Sequence, residues 1–314
     1  MQDFDTLIVT TDRDFLRVRS QYPRLAKNMP GRNIYLVGPQ AAKKALDETE
    51  LPDRVGYIDE NSILPFDEVH AVMSEHMKER LGTQEMPRGV TGWYYQQFLK
   101  LGYAFVCKDD YYMTWDGDTI PCAHFDMFSP DEQKPCMDMK RELHEEYFIT
   151  LERLLPGVKK VMEKSFISEH MLFKKELVKE LISRIEENKD IPGESFWEKV
   201  IRCIEPERIT KSAFSEFETY GSYVALNHPE EYRIRSWHSF RTGGDFFDIE
   251  TISDRDYDWL AKDFQAISFE KWSTLRDDHR NLFDNPDYQK KLTARQMLEI
   301  AQEEFTGGYK EVWD

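Results

Sequence analysis

Three short apolar runs near the start of the chain constrain its fold most: Thr6-Leu7-Ile8-Val9-Thr10, Asn33-Ile34-Tyr35-Leu36-Val37 and residues 55–58. Each is too short for a stable helix and apolar enough for a strand buried on both faces. Between the first two, residues 12–27 place Phe15, Val18 and Tyr22 on one helical side until Pro30-Gly31 breaks the pattern. Gly38-Pro39 stops the second run. Strand, helix, strand in this rhythm predicts an α/β sheet.

The pattern continues downstream. Residues 92–101 read as a helix, with Tyr94, Phe98 and Leu101 at i, i+4 and i+7. The run 103–107 follows, and residues 111–115 form a further strand ending on Asp116-Gly117-Asp118-Thr119. Residues 143–155 predict an amphipathic helix with Leu143, Tyr147, Phe148, Leu151, Leu154 and Leu155 on one face, and 172–185 and 196–204 repeat the helical period.

Charge narrows the partners. Lys and Arg total 42 against 59 Asp and Glu, a net −17 over 314 residues. Phosphate backbones need a cationic footprint, so nucleic acid is excluded as the main partner, and docking on anionic lipid by charge is disfavoured. Residues 245–314 hold 17 acidic and 9 basic side chains, a net −8. This predicts a main domain over 1–245 and an acidic helical C-terminal extension over 246–314. The acidic N-terminus lacks the features of a signal peptide, no apolar run approaches the roughly 20 residues of a membrane span, and the four Cys lack C-x-x-C spacing. A cytoplasmic protein without a transmembrane segment is expected.

Asp116 and Asp118 are the sharpest chemical feature. Two carboxylates at i and i+2 point to opposite faces of a regular strand, but a Gly between them permits a turn that brings them together. Hard oxygen ligands suit Mg²⁺ or Mn²⁺, which clamp a diphosphate, and ligands of open α/β sheets bind at strand carboxyl ends. A solvated Asp-Gly turn gives the same pattern. P-loop, dinucleotide-binding, nucleophile-elbow and zinc-protease motifs are all absent.

Other stretches carry weaker signals. Ser215 and Glu218 form an S-x-x-E capping box, which leaves Glu216 projecting from a first helical turn as a candidate base; both acids serving only the helix end is the other reading. Ser168, Glu169 and His170 stand where β-prone residues run into a helix, either as a pocket wall or as a capped start. His238 is a lone His in a loop-like stretch. Trp93 and Gln97 sit on a helix, either facing a sugar or covering the surface.

Taken together, Gly92-Trp93-Tyr94-Tyr95-Gln96-Gln97, Trp115-Asp116-Gly117-Asp118-Thr119, Ile167-Ser168-Glu169-His170-Met171 and Ser215-Glu216-Phe217-Glu218-Thr219-Tyr220-Gly221 resemble a bacterial family of glycosyltransferases of GT-A fold. That family is associated with polysaccharide biosynthesis and carried as a domain of unknown function. The resemblance covers about residues 5–235. It implies a GT-A-like, Rossmann-type mixed sheet flanked by helices. It also implies a metal-dependent transferase, using Mn²⁺ or Mg²⁺, that moves sugar from a UDP-sugar or other nucleotide sugar to a saccharide or lipid-linked saccharide, with peripheral membrane contact through the acceptor. Under it Asp116 and Asp118 take the metal, with His238 as a late ligand; Thr10, Thr11, Asp12 and Asp116 contact the nucleotide sugar. Trp93, Gln97, Ser168, Glu169, His170 and Glu218 contact the substrates, and Glu216 is the base of an inverting reaction. A non-catalytic carbohydrate- or nucleotide-sugar-binding protein and a metal-dependent nucleotidyltransferase are the alternatives.

Overall fold

A computed structural model describes residues 3–141 and 144–304 of the chain. The three N-terminal runs become β1 (Asp5–Val9), β2 (Ile34–Gly38) and β3 (Val55–Asp59), and the fourth becomes β4 (Tyr111–Trp115). Four short strands follow: β5 (Thr119–Pro121), β6 (Cys136–Met139), β7 (His170–Lys174) and β8 (Arg233–Ser236). The last two are β9 (Ser239–Phe240) and β10 (Ala266–Ser268). The main sheet has the order β3-β2-β1-β4-β7; its first four strands are parallel and β7 runs antiparallel to β4. This is the α/β architecture the rhythm predicts, a mixed, mostly parallel sheet flanked by helices.

The strands are apolar on both faces because both faces are covered. Leu7, Tyr112 and Phe173 pack into one hydrophobic cluster, with Phe98, Leu181 and Tyr220 from the helices of that side. Their neighbours Ile8, Met113 and Leu172 pack into a second, with Phe15, Tyr257 and Leu298. Adjacent residues therefore go to opposite cores, as the period of two requires.

Several elements differ from the sequence expectation. Residues 12–27 are not one helix: Asp12–Val18 and Tyr22–Asn28 are separated by a 3-10 turn, and Pro23 stands in the first turn of the second, where its missing N–H costs least. Residues 103–105 extend the helix Arg88–Gly102 as a 3-10 turn. Leu172 and Phe173 belong to β7, and the helix there is Lys175–Glu187. The amphipathic helix is Glu145–Leu154; Leu143 lies outside the described residues.

Residues beyond 245 include the helices Asp254–Leu260, Asp277–Phe283 and Ala294–Glu304, but also a strand. In a three-stranded sheet, β10 lies between β5 and β9, antiparallel to the first and parallel to the second. Phe246, Trp259, Phe283 and Leu298 pack in the second core cluster with Ile8 and Trp115. The acidic side chains obscure a regular supply of buried apolar ones, so this segment closes one face of the main sheet. Residues 305–314 of the expected extension lie outside the described residues. Among the described residues no helix is long and apolar enough to cross a membrane.

The helix Glu216–Asn227 packs closely through Gly221. A Cβ there would lie 2.3 Å from Phe166 Cγ and 2.7 Å from Phe166 Cβ. Alanine normally gains about 1 kcal/mol over glycine in a helix, but overpacking of this kind costs about 1–3 kcal/mol. Gly221→Ala is expected to destabilise the protein by up to about 2 kcal/mol in urea unfolding; an increase in stability would show that Phe166 moves freely.

Candidate active site

The order β3-β2-β1-β4 reverses direction between β1 and β4, which opens a crevice at their carboxyl ends. A cavity of about 450 Å³ occupies that crevice. Val9 and Thr10 at the end of β1 and Asp116, Gly117 and Asp118 at the end of β4 line it. The helix Arg88–Gly102 contributes Trp93, Gln97 and Lys100, and the start of the helix Glu216–Asn227 contributes Glu216.

Lys100 joins the two halves of the site. Its Nζ donates to Asp116 Oδ1 (2.8 Å) and Glu216 Oε1 (2.6 Å) and lies 4.3 Å from the Phe217 ring centre. Lys100 and Glu216 are both buried. Burial opposes the lysine charge, but Asp116 and Glu216 outweigh it and its pKa is raised. Burial raises the Glu216 carboxyl above its ordinary value, against the pull of Lys100. The backbone N–H of Glu216 donates to Gln97 Oε1 (3.1 Å), which fixes the start of the helix.

Asp118 is set differently. Burial, followed by the charges of Glu270 and Asp116, pushes its carboxyl up to about 7, while Arg17 at 3.9 Å opposes the shift. Glu270 is also raised by burial, against its pairing with Arg241 (3.2 Å). The Asp118 carbonyl accepts from the Phe269 N–H (2.8 Å), and Arg17 donates to the Phe269 carbonyl, so the segment after β10 holds the Asp118 turn. Gly117 helps through its small size: a Cβ there would lie 3.0 Å from Ile8 Cγ2, and its φ is not in the left-handed region. Close packing against β1, rather than a special turn, is what the glycine supplies.

Carboxylates that repel one another in a half-buried crevice form a donor set that a divalent cation relieves. Mg²⁺ and Mn²⁺ are commonly held by one or two carboxylates, with phosphate oxygens and water completing the shell. Asp118 and the free oxygen of Asp116 fit that role. Among the described residues no group of three or more His, Cys, Asp and Glu side chains is placed to enclose a metal. His238 does not join them: it lies in the turn between β8 and β9, where its N–H donates to Gln265 Oε1 (2.9 Å) and its carbonyl accepts from the Gln265 N–H (2.8 Å), and it does not line the cavity.

Of the Ser168-Glu169-His170 stretch, only Glu169 lines the cavity. Ser168 and Glu169 precede β7 and His170 opens it, so the stretch leads into a strand rather than a helix. Glu169 adopts φ 63°, a left-handed conformation unusual for a residue with a Cβ. Its carbonyl accepts from Asp116 N–H (2.8 Å), and its carboxylate accepts from Lys140 Nζ (2.5 Å) and Ser239 Oγ (3.0 Å). Burial opposes its ionisation, yet Lys140 holds its pKa below the ordinary value. Ser168 and His170 are buried. The His170 ring pairs with Asp138 (2.8 Å) and the Ser168 carbonyl (2.8 Å) and stacks on Trp115, bracing the strand that ends on Asp116.

Glu218 does not complete the predicted capping box. Ser215 Oγ accepts from Glu218 N–H (3.2 Å), but the Glu218 carboxylate accepts from Ser165 Oγ (2.7 Å) and Phe166 N–H (3.0 Å), tying the 165–166 loop to the helix. It is buried and outside the cavity lining. Thr11 caps the helix Asp12–Val18 through Asp14 N–H (3.2 Å); neither Thr11 nor Asp12 lines the cavity, whereas Thr10 does.

Sequence reasoning missed Lys100, Arg17, Arg241, Glu270 and Trp272, all of which line the cavity. Lys100 stands between Leu99 and Leu101 in the buried last turns of its helix, but a lysine there reads in sequence like one that reaches solvent. Glu270 and Trp272 follow the apolar run 266–269 much as Asp116 and Asp118 follow β4.

A model of one protein family matches residues 40–284. The chain belongs to the family of unknown function DUF6492. The matched span of this DUF6492 member includes Asp116, Asp118, Glu216 and Glu270 and extends past residue 245. No curated protein matches its sequence. Among solved structures, mouse xyloside xylosyltransferase 1 in its apo form is 13% identical at a TM-score of 0.43, covering 87% of this chain and 100% of that one. The apo WbbM bifunctional glycosyltransferase is 12% identical at 0.40, covering 96% and 51%. Apo GlyE of Streptococcus pneumoniae TIGR4 is 13% identical at 0.35, covering 96% and 64%. The chain thus spans about half of the WbbM chain and under two thirds of GlyE. The chemistry of the site rests on its own residues.

Removing Lys100 leaves the buried Glu216 carboxylate, and the half-buried Asp116 beside it, without their cation. Breaking a buried ion pair from one side costs about 3–5 kcal/mol. Lys100→Met is therefore expected to lose about 3 kcal/mol of unfolding free energy, and Glu216→Gln in the same chain should return part of it. Equal stability of wild type and Lys100→Met in urea would contradict the pairing.

Proposed function

We propose that the chain is a glycosyltransferase. It transfers a sugar from a nucleotide sugar, a UDP-sugar in this reading, to a hydroxyl of a saccharide or lipid-linked saccharide during polysaccharide assembly in the cytoplasm. The observation that supports this most is the convergence of Asp116, Asp118 and Glu216 on one cavity at the switch point between β1 and β4.

Asp118, with Asp116, would hold Mg²⁺ or Mn²⁺; when bound, that cation supplies neutralising charge for a leaving diphosphate. Thr10, at the end of β1, stands beside the donor. Ionised Glu216 accepts the proton of the acceptor hydroxyl as its oxygen attacks the anomeric carbon. The bond from that carbon to the diphosphate breaks, so a single displacement inverts the centre. Lys100 keeps the Glu216 carboxylate oriented and joins it to Asp116.

The test is product release. The protein is incubated with UDP-glucose, UDP-galactose and UDP-N-acetylglucosamine, with Mn²⁺ or with EDTA. Nucleoside diphosphate release that needs Mn²⁺ is the expected result. Release of sugar 1-phosphate would point to nucleotidyl transfer, and tight binding of free glycan without nucleotide to a binding protein. A donor at 100 times its Kd should stabilise the fold by about 2.7 kcal/mol, read as a rise in Tm.

A further inference from the structure

Trp272 is the most exposed large apolar side chain among the described residues, at 62%. Four other tryptophans, Trp115, Trp197, Trp237 and Trp259, are buried, and Trp93 is half-buried. A single exposed apolar side chain is ordinary on a surface, but this indole lines the cavity and offers its flat face to whatever the cavity holds.

The loop that carries Trp272 is tied down. Thr274 N–H donates to Asp245 Oδ1 (2.9 Å), Arg276 N–H to the Asp245 carbonyl (3.3 Å), and Ser273 N–H to the Glu270 carbonyl (3.0 Å). Gly244 lies beneath it; a Cβ there would meet Ser273 Cβ at 2.8 Å. Glu270, at the base of the loop, pairs with Arg241. The indole is thus held at the cavity rather than left on a free tail.

We infer that Trp272 is the stacking platform of an acceptor subsite for a neutral saccharide ring. This rests on the glycosyltransferase reading above and adds which wall takes the acceptor. A pyranose presents one face of C–H groups, which a flat aromatic ring covers, and a rim of hydroxyls that need donors and acceptors. Glu270 and Lys271 beside the indole, and Gln96 among the cavity residues, supply both kinds of group. An acid and a base side by side suit an uncharged polyol. The carboxylates Glu270, Asp118 and Glu169 lining the cavity oppose an anionic diphosphate unless a cation accompanies it.

Calorimetry on the full chain separates the two readings. Wild type, Trp272→Ala and Trp272→Phe are titrated with UDP and with GDP in the presence of Mn²⁺, then, saturated with the nucleotide, with maltotriose, cellotriose and chitotriose. At least one trisaccharide is expected to bind wild type. Trp272→Ala should weaken it about tenfold or more, Trp272→Phe should recover part of the loss, and nucleotide Kd should change less than twofold. Nucleotide weakened as much as saccharide would place the base on the indole and overturn the subsite. Saccharide binding unchanged in Trp272→Ala, or no trisaccharide bound by wild type, would also overturn it. Failure of wild type to bind either nucleotide would instead sink the transferase reading.

Discussion

Asp118→Ala is expected to lower kcat/KM about a thousandfold without lowering the stability of the metal-free protein. A cation that neutralises a leaving diphosphate contributes several kcal/mol to the transition state, and each 1.36 kcal/mol is a factor of ten. Stability moves otherwise because Asp118 in the free protein sits near Glu270 and Asp116, with Arg17 no nearer than 3.9 Å. Its pKa of about 7 in the fold exceeds its ordinary 3.8. Between those values the unfolded chain has released a proton that the folded chain still holds, so the Asp118 contribution to stability falls as pH rises. Wild type is therefore expected to lose Tm relative to Asp118→Asn from pH 4 to pH 7, and Mn²⁺ at pH 7 should restore Tm in wild type alone. Mn²⁺ stabilising both proteins equally would place the cation elsewhere.

Glu216→Gln is expected to lower kcat about a thousandfold, within the range for removal of a positioned general base. Glutamine keeps an oxygen for Lys100 and nearly the same volume, so folding should survive, checked by circular dichroism. The pH profile identifies the role. Burial raises the Glu216 pKa, and the base works only when ionised, so activity should climb as pH passes that raised value. Measured at saturating Mn²⁺, which would keep Asp118 ionised, the variant should lack this acidic limb. An unchanged limb with reduced kcat would assign Glu216 to structure and the proton to another group. Nucleotide affinity should stay within about twofold, because the carboxylate acts on the acceptor.

The main sheet was legible because its first four strands are short and apolar, and β2, β3 and β4 are closed by Gly38-Pro39, Asp59 and Asp116. Asp116 and Glu216 were legible for a related reason: each follows an element boundary that local chemistry marks. Lys100 was hidden because a lysine on a helix usually reaches solvent, and only the approach of a second helix shows that it does not. Glu218 was misread because a capping box is a local pattern, whereas its partners, Ser165 and Phe166, lie about fifty residues away in sequence. His238 has no anchoring motif, and its backbone answers to Gln265. Charge counting set residues beyond 245 apart, yet it takes no account of Ile267 or Phe283, which are buried.

The place of β10 also sets an order in time. The ribosome completes β1, β4 and the Asp116-Gly117-Asp118 turn long before it reaches Phe269, whose N–H holds the Asp118 carbonyl. Chains fold as units once their sequence is available. The early strands can therefore gather on the nascent chain, but the carboxylate pair gains its final geometry only when the late segment arrives between β5 and β9. Unfinished chains would carry the acids without the arrangement that makes them a site.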